Sequence, residues 1–400
     1  MTHPYPTPPI QPFNRLNVSD GLLITAERWK RAQDYHRQRQ NIHYQSVNQP
    51  GIVCGLGVSV IPAPAHQQAR DRDERWVQVQ PGIAIDLEGN LIIVPKPFDY
   101  HIDTELKESE PITVYLVVSY RDPDHLQPQT SEMVQETYRL EETTSPPRSL
   151  DVELCRILLQ AGTVAIRAPE DVFFPGYNQL DLRHRMQAQA RPQALVRVAQ
   201  LNRTDPDATR NFFHLQALLQ SVETLYPVLK GAEEVGQVGL SDGIAALQPY
   251  DLLYLTGRQK LALNSAELAT LKDYLELGGI LLVDCLPNAT KLSESIQALA
   301  QKIAQPMQSL ATMRHHPIRT RPFLFSALPL VHQQPIQVSI SGGIVMIQGD
   351  IASAWGLDDN MNTSRIVLRT AQEFGVNLLH YAWRRRQLIG LQQQDVSGQW

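Results

Sequence analysis

One cysteine lies where the sequence predicts the end of a strand, a position from which a thiol could act as a nucleophile. Cys285 directly follows the predicted strand 279–284. In open α/β sheets, ligands bind beyond the carboxyl ends of the strands. A thiolate there can attack a carbonyl carbon if a base takes its proton, and His315, His316 or His380 could supply that base. The chemistry to weigh is therefore that of a cysteine-dependent hydrolase or amidotransferase-like enzyme.

The residues around Cys285 argue against that chemistry. A nucleophile on a sharp strand-to-helix turn needs small neighbours, whereas Cys285 is flanked by Asp284 and Leu286, followed by Pro287. A carboxylate beside the sulfur also disfavours the thiolate. We therefore expect Cys285 to be a structural thiol and the protein not to be an enzyme. The alternative is that Cys285 is a catalytic nucleophile.

Two further loops at predicted strand ends could share a crevice with Cys285. They are Asn202–Asp205 and Thr256–Arg258. A ligand-binding module that keeps this crevice without chemistry is a third alternative.

The sequence contains no convincing motif for a metal or a nucleotide. His315 and His316 are adjacent, so their side chains diverge, and no third spaced ligand accompanies them. Gly55–Gly57 lacks the rest of a dinucleotide-binding fingerprint, and no Gly-Lys-Ser/Thr phosphate loop occurs. We therefore expect no metal and no cofactor.

The composition is that of a globular protein in a reducing compartment. Hydrophobic residues make up 42% and charged residues 19%, and no apolar run approaches the ~18 residues that span a bilayer. A net charge of -5 gives no field that would attract nucleic acid. Cys54, Cys155 and Cys285 lie in apolar stretches and suggest buried free thiols. The start of the chain lacks the features of a secretory signal, which favours a cytoplasmic location.

The first part of the chain predicts an all-β sandwich or barrel with one long helix. Residues 1–12 are proline-rich and predict an extended arm. Residues 25–46 favour a basic helix with Thr25 as N-cap. A period of two then predicts strands within a domain over 13–187, with a tight hairpin at 88–90. The predicted strands are 52–61, 76–79, 83–86, 91–94, 112–120, 133–140, 152–159 and 163–166.

The second part, residues 193–388, alternates between strand and helix patterns. That alternation predicts a doubly wound parallel sheet with helices on its faces. A linker is expected at 186–192 and a polar tail at 389–400, with Arg384–Arg386 after the last helix. The predicted strands are 195–201, 251–255, 279–284, 337–340 and 343–348; the predicted helices are 211–225, 265–277 (capped by Asn264 or Ser265), 293–303 and 364–383.

Several motifs in the second part resemble an uncharacterised bacterial domain of glutamine-amidotransferase-like, or flavodoxin-like, fold. They are Asp251–Arg258, Ser265–Glu267, Tyr274–Asp284 and His316–Pro317. The resemblance extends over roughly 193–388. It implies the fold but no established activity.

The first part resembles a domain found beside phage-tail-like genes, on the segments Gly21–Leu23, Pro50–Gly57, Pro81–Asp86 and Leu180–Arg183. Such domains resemble structural components of contractile injection systems. The resemblance implies a structural subunit at or around the baseplate, present in several copies. Its partners would be baseplate, sheath or tube subunits, without a membrane span of its own. The particle would be free in the cytosol or anchored to a cytoplasmic or thylakoid membrane.

If the chain is such a subunit, the arm and the basic helix are the expected partner-binding segments. Proline lowers the entropy that an arm loses on docking, and exposed aromatic residues serve as anchors. The candidate residues are Pro8, Pro9, Ile10, Phe13, Trp29 and Tyr35.

Overall fold

The computed structural model describes residues 11–65, 73–104, 110–122, 135–160, 165–192, 194–202, 206–303, 306–356 and 363–397. The chain divides into two compact units, an N-terminal unit, Met1–Arg191, and a C-terminal unit, Pro192–Trp400. The predicted arm lies outside the described residues except for Gln11 and Pro12.

The N-terminal unit is rich in β-structure and has one leading helix, as its sequence predicts. The helix begins after Thr25, whose side chain accepts a hydrogen bond from the Arg28 amide, so the predicted N-cap is confirmed. Its elements are α1 Ala26–Val47, β1 Gly51–Gly55, β2 Val58–Val60, β3 Trp76–Val79, β4 Gly82–Ile85, β5 Leu91–Val94, β6 Phe98–His101, β7 Ile112–Arg121, β8 Thr137–Thr143, β9 Val152–Leu159 and β10 Leu180–Asp181.

These strands form three antiparallel sheets around one apolar core. The sheets have the orders β1-β4-β5, β2-β3-β6 and β10-β9-β7-β8. Alternate residues of the strands point into the shared core, which is why the period of two was visible in the sequence. The predicted hairpin at 88–90 is confirmed, because the Asp86 amide donates to the Asn90 carbonyl and Gly89 takes the positive φ that the turn requires.

The predicted strand over 52–61 is two strands that belong to different sheets. The chain turns between them at Gly55 and Leu56, both with positive φ. A Cβ on Gly55 would lie 2.1 Å from the Pro81 carbonyl oxygen, so only glycine is accommodated there. The Gly55–Gly57 motif therefore forms a corner between sheets, in a β context as expected.

Two other strand predictions differ from the structure. The predicted strand 133–140 begins at Thr137, and residues 133 and 134 lie outside the described part. The predicted strand 163–166 is not a strand at residues 165 and 166, while 163 and 164 are not described. Ile166 is nevertheless buried in the core. The apolar residue that suggested a strand at this position is therefore a core residue outside any strand.

The stretch predicted as a linker, 186–192, is hydrogen bonded to the N-terminal unit as far as Arg191. The Ile52 amide donates to the Met186 carbonyl, and the Arg191 amide donates to the Val47 carbonyl. Its polar side chains suggested a free segment, but its backbone bonds tie it to β1 and the end of α1.

The C-terminal unit alternates strands and helices, as predicted. Its elements are β11 Ala194–Val196, β12 Val198–Leu201, α2 Pro206–Leu225, β13 Leu229–Gly231, β14 Gly236–Val238, α3 Ile244–Leu247, β15 Leu252–Gly257, α4 Ser265–Glu276, β16 Ile280–Cys285, α5 Thr290–Ile303, β17 Gln308–Ser309, α6 Pro317–Thr320, β18 Leu330–Val331, β19 Gln334–Pro335, β20 Gln337–Ser341, β21 Ile344–Gln348 and α7 Arg365–Ser397.

Its main sheet is mixed rather than wholly parallel. The order is β14-β12-β15-β16-β21-β20-β17; the first five strands are parallel, and β20 pairs antiparallel with both β21 and β17. Leu252 and Tyr254 face a cluster that includes α2 and α7, whereas Leu253 and Leu255 face a cluster with α4 and α5. Helices therefore cover both faces.

The last helix is longer than predicted. α7 has 33 residues and continues past Trp383 through most of the expected polar tail. Arg384–Arg386 thus lie inside the helix rather than after it. Arg385 donates to the Leu275 and Gly279 carbonyls at 3.0 and 2.8 Å, and Arg386 donates to carbonyls of the loop before β15. No proline interrupts the sequence here, so the helix can continue.

Candidate functional site

Cys285 ends β16, and its side chain is buried among the apolar residues between the sheet and the helices α4 and α5. Burial raises the pKa of the thiol to about 12, and the charge of the adjacent Asp284 adds to the shift. The thiol therefore keeps its proton near neutral pH, and the protonated form is not the nucleophile.

The structure does not pair Cys285 with any of the histidines considered as its base. His316 packs against Tyr381 of α7, with ring centroids 5.2 Å apart, and His380 is itself part of α7. α7 covers the face of the sheet opposite to the Cys285 side chain. His315 is exposed.

A cavity of about 360 Å³ adjoins Cys285 at the carboxyl end of the sheet. Two of its lining residues are bonded to each other, since Gln348 donates to the Ser293 hydroxyl at 2.7 Å, and the Pro287 carbonyl of the lining accepts from Arg258 at 2.7 Å. Of the predicted crevice loops, residues 203–205 lie outside the described part. Thr256 is buried and accepts a hydrogen bond from Asn211 at 2.8 Å.

Sequence reasoning missed the buried carboxyl of Asp284, which appeared only as a neighbour of Cys285. Its Oδ2 accepts hydrogen bonds from the Tyr254 hydroxyl and the Ala352 amide, both at 3.1 Å. Its Oδ1 has no hydrogen-bond partner among the described residues. Burial, and then the charge of Asp350, raise the pKa of this carboxyl to about 7. The signal in the sequence was an acidic residue after the apolar run 280–283.

Within the described ranges, no group of three or more His, Cys, Asp or Glu residues could hold a metal ion. No helix in that part of the chain is long and apolar enough to cross a membrane.

One of the three thiols expected to be buried is exposed. Cys155 and Cys285 are buried, but Cys54 is open to solvent. The register of β1 shifts between Ile52 and Cys54, so the end of this strand leaves the core.

We expect an electrophile such as iodoacetamide to label Cys54 first and Cys155 and Cys285 far more slowly. Burial raises the pKa of both buried thiols to about 12. Each then holds roughly a thousandfold less thiolate than an ordinary cysteine at the same pH. Mass spectrometry of the native chain measures the three rates. Faster labelling of Cys285 than of Cys54 would support the enzyme alternative.

The second candidate site is the surface around α1 in the N-terminal unit. None of the 22 residues of this helix is buried. Its C-terminal half is held by polar bonds: Arg37 pairs with Asp122 at 3.1 Å, and Asn41 donates to the Asn90 side chain at 2.7 Å. Gly89 allows the backbone of the turn to approach α1 closely, because a Cβ at this position would lie 2.4 Å from the Asn41 carbonyl oxygen. Hydrogen bonds and close backbone approach therefore anchor the helix, rather than a buried apolar stripe.

The start of α1 and the segment before it carry exposed apolar side chains. Trp29 is 57% exposed, and Leu23 and Ile24 are 73% and 53% exposed. The two polar bonds that hold the helix, at Arg37 and Asn41, both lie in its C-terminal half. The predicted partner-binding residue Trp29 thus lies on an open surface.

A groove of about 1060 Å³ lies between α1, the segment 11–17 and the turns at 87–88 and 149–150. We call it the α1 groove. Phe13 and Tyr35 both line it, with ring centroids 6.1 Å apart and an edge-on contact. The structure therefore brings these two predicted residues together. Pro8, Pro9 and Ile10 lie outside the described residues.

Comparisons with known proteins give a family match and weak structural alignments. Residues 197–383 match a family model described as Domain of unknown function (DUF4159). No curated protein matches significantly. A chain from "The baseplate complex from the type VI secretion system" aligns at 10% identity and a TM-score of 0.26, over 54% of this chain and 69% of that one. "Crystal structure of TssK" aligns at 10% identity and a TM-score of 0.24, over 66% and 56%. TM-scores of this size do not establish a shared fold.

Proposed function

We propose that the protein is a structural, non-catalytic subunit of a contractile, phage-tail-like injection particle, at or around its baseplate. The observation that carries this proposal is helix α1, which is anchored at one end by polar bonds and leaves its other end open to a partner. Its partners are other protein subunits of the particle, and the chain is present in several copies.

The exposed start of α1 is suited to contact with a protein. Leu23, Ile24 and Trp29 form an apolar stretch on one segment, and tryptophan is among the residues that contribute most to protein interfaces. A helix of 22 residues extends about 33 Å, long enough to cross a neighbouring subunit. The resemblance of residues 13–187 to components of contractile particles supports this kind of assembly.

In this proposal, the C-terminal unit has a structural role and no catalytic one. Its Cys285 is buried and protonated, while His316 and His380 lie against or within α7, on the other face of the sheet, and His315 is exposed. Two motif residues contribute to helix caps: His316 is the N-cap of α6, and Glu267 completes the capping box of α4 with Asn264. A glutamine-amidotransferase-like fold in which Cys285 does not act as a nucleophile belongs to the same proposal.

Replacing Trp29 with alanine is expected to leave the melting temperature unchanged, because this side chain is exposed in the free chain. The same replacement should weaken incorporation into the particle at least about tenfold, because the proposal places the side chain in a contact with a neighbouring subunit. Co-sedimentation of purified chain with particles from cells that lack the gene measures this. Phe213→Ala is the matched control, since Phe213 is 64% exposed and lies on the C-terminal unit. Equal co-sedimentation of both variants and the unaltered chain would contradict the proposal.

A further inference from the structure

The C-terminal unit has a basic surface, although the net charge of the whole chain is -5. Residues 306–349 contain three arginines and no aspartate or glutamate, and residues 374–394 of α7 contain three more arginines and again no acidic residue. Part of the first stretch packs against the second, so their positive charges come together without an acidic neighbour from either stretch. A local excess of positive charge attracts anions.

Asn377 of α7 holds the two stretches together. Three hydrogen bonds join its side chain to the backbone of the segment 318–323. Arg321 belongs to that segment. His380 follows Asn377 by three positions on α7 and Arg384 follows His380 by four, so all three lie on one face of the helix. The packing therefore brings Arg321, His380 and Arg384 to the same surface.

His380 has a buried ring nitrogen without a hydrogen bond. The residue is 9% exposed, and its Nδ1 has no partner among the described residues. The rings of Tyr226 and Trp383 both lie 5.9 Å from the His380 ring, centroid to centroid. Burial lowers the pKa of His380, and the charges of Arg384 and Arg321 lower it further. The imidazole is therefore neutral near neutral pH, in a place where a negative charge would favour its protonation.

Two arginines of this surface are open to solvent. Arg321 and Arg384 are exposed, and in the part of the chain that the structure describes neither guanidinium has an ion pair or a hydrogen bond. By contrast, Arg319, Arg385 and Arg386 donate to backbone carbonyls. A guanidinium offers a planar set of donors that matches the oxygens of a phosphate group.

We propose that Arg321, His380 and Arg384 form a binding site for a phosphate group, with the two guanidiniums and the imidazole donating to its oxygens. The charge of the surface selects an anion. Three nitrogen donors suit a tetrahedral oxyanion with several negative oxygens better than a carboxylate. The site goes beyond the proposed function, because it belongs to the C-terminal unit and not to the surface around α1.

Isothermal titration calorimetry of the full chain with sulfate tests this site, because sulfate has the shape of phosphate and does not titrate near neutral pH. We expect sulfate and phosphate to bind, and acetate at the same ionic strength not to bind. Arg321→Gln and Arg384→Gln should each weaken sulfate binding at least about tenfold, since each removes a charged donor. Arg314→Gln is the matched control, because Arg314 is exposed in the same stretch. Equal melting temperatures show that the variants fold.

The pH dependence of binding tests the part of His380. The charged or titratable groups packed around its ring are Arg321, Arg384 and the Tyr226 phenol. A bound anion offsets the two positive charges, so His380 takes up a proton on binding. The affinity for sulfate should therefore be higher at pH 6 than at pH 8, and His380→Gln should remove this difference.

Four results would overturn the inference: no binding of sulfate, binding of acetate as tight as that of sulfate, equal weakening by Arg314→Gln, or a pH difference that persists in His380→Gln. The third would show a diffuse positive field rather than a site. Co-sedimentation with the particle tests the proposed function separately from all four.

Discussion

Replacing Asp284 with asparagine is expected to stabilise the protein above neutral pH by up to about 4 kcal/mol. Burial and the charge of Asp350 raise the pKa of this carboxyl in the folded chain to about 7, from 3.8. Each pKa unit corresponds to about 1.4 kcal/mol. As pH rises from about 4 to 7, the unfolded chain loses this proton while the folded chain keeps it, so stability falls and stays low above that range. Asparagine removes the buried charge.

Urea unfolding of both chains at pH 5 and pH 8 measures this effect. The free energy of unfolding of the variant should fall less between the two pH values than that of the unaltered chain. Asp273→Asn is the control, because Asp273 is exposed on α4. Equal pH dependence in Asp284→Asn and the unaltered chain would show that this carboxyl is not held protonated in the fold.

Replacing Asn377 with leucine is expected to lower the free energy of unfolding by about 3 to 5 kcal/mol. Asn377 is completely buried on α7. Its amide donates to the Ile318 and Phe323 carbonyls at 2.8 and 2.7 Å, and its carbonyl accepts from the Phe323 amide at 2.9 Å. Leucine has a similar volume but leaves three backbone groups without partners, each costing about 1 to 3 kcal/mol.

The matched control for this variant is Gln387→Leu, an exposed amide on the same helix. Urea unfolding should separate the two variants clearly, since the control should change stability by less than about 0.5 kcal/mol. A loss of stability no larger in Asn377→Leu than in the control would mean that α7 does not hold the segment 318–323 through this side chain.

Local signals in the sequence were sufficient to predict most of the helices and strands. The hairpin at Gly89, the N-cap at Thr25 and the buried strand β16 each depend on residues within a few positions of one another. The cap of α4 also follows from neighbours: Asn264, one of the two predicted caps, forms a reciprocal capping box with Glu267.

The features that sequence reasoning missed depend on contacts between distant residues. Cys54 is exposed because β1 shifts register against β4, and the carboxyl of Asp284 is buried by Tyr254 and Ala352. The exposed loop 170–177 is held by Arg183, which lies ten residues from Phe173. The spacing of apolar residues along a strand or a helix contains no information about such contacts. The candidate site around Phe13 and Tyr35 was predicted only because both are aromatic residues, one before the basic helix and one within it.

Electron cryo-microscopy of a purified particle that contains the tagged chain tests the assembly role most directly. We expect density for the N-terminal unit in repeated copies, with Trp29 and the start of α1 buried against a neighbouring subunit. A particle without this chain, or copies in which Trp29 faces solvent throughout, would contradict the proposal that this protein functions as an assembly subunit through the surface around α1.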